Sequence, residues 1–305
     1  MKVVALAGGV GGAKLADGLQ SMLPAGDLTV IVNTGDDFEH FGLKISPDLD
    51  TVCYNLAGLN SPETGWGRRD ESWRVFDEVK ELGGPDWFAL GDLDLATHLE
   101  RTRRLHAGEA LSAITAEFCL RWGVTAKVLP MSDQPVPTIV LTEEGEMAFQ
   151  EYFVARRCEP KVTGFHFENI LQSSPAPGVL EAIAAAEVVV ICPSNPWVSV
   201  DPILGVPGIR PVLAEKTVVA VSPIVGGKAI KGPAAKMYTE LEVEPSAVAV
   251  ARHFGKLLSG FVLDNVDENL TKDIGVPTLI TGTIMMEREQ RSTLAEEVLS
   301  FAREL

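Results

Sequence analysis

The chain has 305 residues, 46% of them hydrophobic and 22% charged, which suits a globular protein able to bury a large core. Its formal net charge of −16 argues against a nucleic-acid binder, because gripping a phosphate backbone takes a basic face. No run of about 18 apolar residues occurs, so no membrane span is expected, and the protein is expected in the cytoplasm.

Residues 2–7 (KVVALA) predict a buried parallel strand, and residues 13–23 predict the helix that follows it. Between them lie Gly8, Gly9, Gly11, Gly12 and Lys14. Glycines between a strand and a helix let backbone N–H groups approach an anion, and the lysine adds a point charge. The spacing is not that of a common dinucleotide fingerprint, since Lys14 stands where its third glycine would be. Nor does a G-K-[ST] triplet close the turn as in a Walker loop. Residues 27–34 (DLTVIVNT) read as the second strand, completing a βαβ unit.

The next loop and the helix predicted over 48–59 carry Asn33, Asp36, Asp37, Asp48 and Asp50. Carboxylates this close repel one another, and a hard cation such as Mg²⁺ offsets that repulsion while bridging to substrate phosphates. Residues from about 60 to 125 predict a mostly helical insertion within one domain spanning 1–305. Asp92 and Asp94 suit the start of a helix there, and His98 reads as an ordinary helix residue. Trp66 and Trp87-Phe88 are candidates for an aromatic slot. Residues 138–154 predict a β-hairpin turning at Glu144-Gly145.

Strands and helices then alternate to the C-terminus. One strand ends in Ser194, Asn195 and Pro196, and another in Ser222, Gly226 and Gly227, followed by Lys228 and Lys231. Ligands of open α/β sheets bind beyond the carboxyl ends of the strands, so these endings are the candidate site. The expected fold is α/β, a Rossmann-like doubly wound and mainly parallel sheet with a helical insertion and a β-hairpin. Cys53, Cys119, Cys158 and Cys192 form no C-x-x-C pair and read as buried thiols of a reducing compartment.

Six segments occur in an order that resembles the 2-phospho-L-lactate transferase family of coenzyme F-420 biosynthesis. They are GGVGGAKL, NTGDDFEHFGLKISPDLDTV, WFALGDLDLATHL, LPMSDQPV, PSNPWVSVDPIL and VSPIVGGKAIKGPAAK. The resemblance implies a Mg²⁺-dependent enzyme, usually a homodimer, with a deazaflavin acceptor and a guanylylated acid donor. The ribityl hydroxyl of 7,8-didemethyl-8-hydroxy-5-deazariboflavin attacks the donor's terminal phosphate, which carries lactate or enolpyruvate, and GMP leaves. By position, Gly8–Lys14, Ser194-Asn195-Pro196 and the Ser222–Gly227 loop would hold the nucleotide. Asp50 would be catalytic, would touch the deazaflavin and would share the metal with Asp48. Ala89 falls on the acceptor side, where many members carry Arg or Lys, and Leu93 replaces a frequent Arg. On this reading Asp50→Ala is expected to abolish transfer and leave the fold intact.

Two other readings compete. A UDP-sugar-binding regulator of the gluconeogenesis-factor type shares the glycine-rich start but has no need of ISPDLDTV as a metal site. An NAD-dependent oxidoreductase predicts the missing third glycine.

Overall fold

The computed structural model describes residues 1–305. Seven strands form one parallel sheet: β1 (Val3–Ala7), β2 (Leu28–Val32), β3 (Lys127–Pro130), β4 (Val188–Ile191), β5 (Thr217–Val221), β6 (Gly260–Asp264) and β7 (Thr278–Thr281). Their order across the sheet is β7-β6-β5-β4-β1-β2-β3. The chain therefore winds outward from β1 through β2 to β3, then returns to the other side of β1 and winds outward again. Strands covered on both faces must be apolar at every position. All five residues of β1, VVALA, are accordingly buried.

Alternate side chains on each strand feed opposite cores. Val4 and Leu6 join Ile31, Ile191, Ala220 and Phe261 under the helices Val179–Ala185 and Ala247–Phe254. Val3, Ala5 and Ala7 join Val30, Val190, Val219 and Val262 on the other face. That face is covered by α1 (Gly9–Met22), α2 (Pro47–Leu56) and the terminal helix Arg288–Arg303. The cores contain 32 and 30 buried residues, so neither face dominates and the α/β sheet is wound on both sides.

Three helices lie between β2 and β3 after α2: α3 (Arg74–Glu81), α4 (Asp92–His106) and α5 (Leu111–Arg121). α5 buries Leu111 and Cys119 in the sheet core, so it serves as the crossover helix into β3. α3 buries no residue. The hairpin pairs Thr138–Thr142 with Gly145–Ala148. Thr142 faces Gly145, which places its turn at Glu143-Glu144, one residue earlier than the sequence suggests. A third antiparallel strand, Val162–Phe167, extends it. Its sequence, VTGFHF, escapes notice because only Val162 is buried and Gly164 interrupts the alternation.

Candidate active site

A cleft of about 810 Å³ opens at the carboxyl ends of the central strands, where the winding reverses between β1 and β4. The glycine turn forms one wall. α1 starts at Gly9, which has φ +63°; its N-cap, Gly8, has no side chain to cap it, and the Asp48 carboxylate lies against the turn, accepting from the Gly9 amide. A Cβ at Gly11 would collide with the carbonyl oxygen of Pro193, so only glycine lets the two turns approach this closely. Ser194 joins them: its Oγ accepts from Gly8 N at 3.2 Å and donates to Gly8 O at 2.8 Å.

The acids after β2 are buried beside this turn. Asn33 Nδ2 donates to Asp48 Oδ2 at 2.9 Å, and the Asp48 amide donates to Asp36 Oδ2 at 3.2 Å. Ser46 Oγ donates to Asp37 Oδ2 at 2.8 Å. Burial pushes the Asp48 carboxyl up to about 6, against the hydrogen bonds from Asn33 and Gly9. Burial, then the Asp48 and Asp37 charges, push Asp36 well above the usual carboxylate range. Asp36 Oδ1 and Asp37 Oδ1 have no hydrogen-bond partner.

Asp50 differs. Burial raises its carboxyl, but the Arg101 guanidinium opposes that rise. Arg101 Nη1 donates to Asp50 Oδ2 at 3.0 Å, and Nη2 donates to Oδ1. His98 Nδ1 lies 3.1 Å from Arg101 Nη1, and Asp94 Oδ1 accepts from Tyr54 Oη at 2.7 Å. Burial would raise the Asp94 carboxyl, yet His98, Tyr54 and Arg101 together bring it below its ordinary value. Asp94, His98 and Arg101 are four and three residues apart, a spacing that stacks side chains on one helix face. That spacing is readable in the sequence. Its meaning appears only once α4 lies against α2. Asp92 accepts from Ser72 Oγ at 2.5 Å and from Val75 N at 3.2 Å, holding the start of α3 to that of α4.

Gly8, Gly9, Gly11, Lys14, Asp48, Asp50, Ala89, Ser194, Asn195 and Ser222 all line the cleft. Gly12, Pro196, Gly226 and Gly227 lie outside its lining. Gly12 packs against Ser194 and Ala7. The Gly226 amide donates to both oxygens of buried Asp267, at 3.2 and 3.0 Å, so it is not free for an anion. Asn195 caps the turn after β4, accepting from Trp197 N at 3.1 Å. Ser222 closes a turn onto Ile224. Lys14 Nζ donates to Met285 O at 2.6 Å, and Lys231 Nζ donates to Thr64 O at 2.5 Å. Trp66, Trp87 and Phe88 also form part of the cleft wall. Phe38 backs that wall, 4.8 Å from Phe88 between ring centroids.

Two acid groups could take a cation, and their chemistry separates them. Asp50, Asp94 and His98 bring ligand atoms within 4.8 Å of one another. Asp50, however, already carries the Arg101 cation, and His98 Nδ1 faces the same guanidinium. Asp36 and Asp48 have no cation of their own, repel each other and leave one buried oxygen unpaired. A hard oxygen-seeking ion such as Mg²⁺ fits that second pair.

The 2-phospho-L-lactate transferase CofD family matches over residues 3–278. The chain belongs to the CofD family. It is 45% identical to a phosphoenolpyruvate transferase of Streptomyces griseus subsp. griseus, over all of this chain and 99% of that protein. It is 38% identical to a 2-phospho-L-lactate transferase of Methanosarcina mazei, over 97% and 99%. The chain is thus a CofD-family transferase. A crystal structure of a UPF0052-family protein from Bacillus halodurans superposes with a TM-score of 0.66, at 20% identity over 98% of each chain. That likeness establishes the shared fold. No helix is long and apolar enough to cross a membrane.

Proposed function

We propose that the chain transfers an enolpyruvyl-phosphoryl group from a guanosine diphosphate-linked donor to the ribityl hydroxyl of 7,8-didemethyl-8-hydroxy-5-deazariboflavin. The enolpyruvyl donor is preferred to the lactyl one because the relatives at 45% identity are named phosphoenolpyruvate transferases, against 38% for the phospholactate enzyme. One observation carries the chemistry: a glycine-rich helix N-terminus, buried acids without a cation and Asp50, which Arg101 holds from behind, all line a single cleft.

Phosphoryl transfer asks a protein mainly for positioning and charge neutralisation. The Gly8–Gly11 turn and Lys14 would hold the donor's phosphate oxygens. Asp48 and Asp36 would hold Mg²⁺, which when bound neutralises both those acids and the phosphates. Asp50 would accept the hydrogen of the attacking hydroxyl. That oxygen bonds to the terminal phosphorus, the bond from phosphorus to the GMP oxygen breaks, and the proton passes toward Asp50. Arg101 keeps the Asp50 carboxylate oriented throughout. The aromatic wall of Trp66, Trp87 and Phe88 offers flat surfaces for the deazaflavin ring. A dimer belongs to the same reading and rests on the family resemblance, and a cytoplasmic location rests on the unpaired cysteines of a reducing compartment.

The decisive assay supplies deazaflavin, Mg²⁺ and each guanylylated acid in turn, and weighs the product. The enolpyruvyl diester should appear fastest. Absence of any phosphorylated deazaflavin would overturn the reading.

A further inference from the structure

Arg101 decides which nitrogen of His98 carries the proton. A guanidinium has only N–H donors to offer. Its Nη1 lies 3.1 Å from His98 Nδ1, so Nδ1 accepts and the ring proton sits on Nε2. A proton on Nδ1 would set two donors against each other. Asp50 Oδ2, at 3.6 Å, is the more distant neighbour of Nδ1.

The ring's one N–H therefore belongs to Nε2, a buried atom of a residue that lines the cleft, and this atom has no well-aligned acceptor within the protein, only a long approach to Asp94. Its nearest acid, Asp94 Oδ1, is 3.5 Å away and already accepts from Tyr54 Oη. A buried donor without a partner is costly, and a ligand atom that pairs with it removes the cost. Beside it stands the Asp94 carboxylate, which also lines the cleft. An N–H next to a carboxylate matches a hydroxyl, which accepts and donates through one oxygen. A ring carbonyl satisfies only the first partner, and an amide N–H only the second.

We propose that His98 Nε2–H and Asp94 together bind a hydroxyl of the acceptor's polyol chain, adjacent to the one that attacks beside Asp50. The proposal rests on the transfer reading above and adds the residues that recognise the chain rather than the ring. In it His98 is a neutral donor, and the proton it carries stays in place through the reaction.

Three measurements test this. In histidine-labelled wild-type protein, ¹⁵N shifts should show a pyrrole-like Nε2 and a pyridine-like Nδ1 for His98, assigned by their loss in His98→Gln. The opposite tautomer or a doubly protonated ring would overturn the proposal whatever the activity. His98→Phe should weaken deazaflavin binding, followed by its own fluorescence, by about ten- to hundredfold. It should leave the donor KM unchanged, and His98→Gln, which keeps an N–H, should recover part of the loss. A deazaflavin bearing a methyl group in place of the polyol should bind His98→Phe and wild type alike. Equal binding of the full acceptor by both proteins would remove the polyol assignment alone. Failure of the wild type to bind deazaflavin would remove the transfer reading along with it.

Discussion

Asp50 and Arg101 are both buried, and each supplies the other's counter-charge. The family resemblance gives Asp50 a purely catalytic role, so Asp50→Ala is expected to spare the fold. Its partner changes that expectation. Removing the carboxylate strands a buried guanidinium, which costs about 3–5 kcal/mol. Asp50→Ala should therefore lose transfer and also unfold at lower denaturant, while Asp50→Asn should lose transfer with a smaller shift. Equal midpoints for Asp50→Ala and wild type would refute the pairing. Asp48 carries a pH signature of its own. Its folded value of about 6 exceeds the ordinary 3.8, so the native state holds a proton that the unfolded chain releases. Stability from this group is full below about 3.8 and is lost as pH rises through about 6, a change of about 3 kcal/mol at most. Metal-free protein should accordingly melt lower at about pH 7 than at about pH 5, and Mg²⁺ should raise the melting temperature more at the higher pH. Asp48→Asn should flatten both trends. The acids themselves were legible because they crowd one stretch of sequence. Arg101 and His98 were not, because their role depends on a contact between helices about fifty residues apart in the chain.

Six of the seven sheet strands were readable as elements, because burial on both faces turns each into an apolar run between polar turns; β3, four residues opening on exposed Lys127, was not. The antiparallel strand Val162–Phe167 was not, since it is mostly half-exposed and broken by Gly164. The segment 60–125 read as helical, but its amphipathic spacing does not reveal that α5 packs on the sheet while α3 buries nothing. The glycine turn was legible as a strand-to-helix turn, though its individual glycines divide by duty. Gly11 packs against the Pro193 carbonyl as well as lining the cleft. Gly11→Ala should push the β1 and β4 turns apart, destabilise by about 1–3 kcal/mol and weaken nucleotide binding. Thermal melts and GDP titration would check this. Unchanged affinity would show that the separation between the two turns does not matter to the ligand.

The topology follows from the alternation of strands and helices, but the strand order and the place where winding reverses had to be seen. The reversal brings residues from the start, middle and end of the chain to one cleft. The family match ends at 278, yet the terminal helix beyond it belongs to the core, with Leu294, Ala295 and Val298 fully buried. Its Arg291 meets buried Asp17 of α1 at 3.0 Å. A chain ending at Met286 should therefore lose cooperative unfolding, readable by denaturant titration. A sharp native-like transition would show the helix to be dispensable. One last consequence concerns the two cleft lysines. Each rests on a carbonyl from a distant segment, Lys14 on Met285 and Lys231 on Thr64. An anion bound there as proposed would have to win these ammonium groups from their carbonyls, so capture would be an exchange of partners. On the proposed transfer, departure of the spent nucleotide would let the displaced carbonyls reclaim them, so the protein's own backbone would help to expel the product.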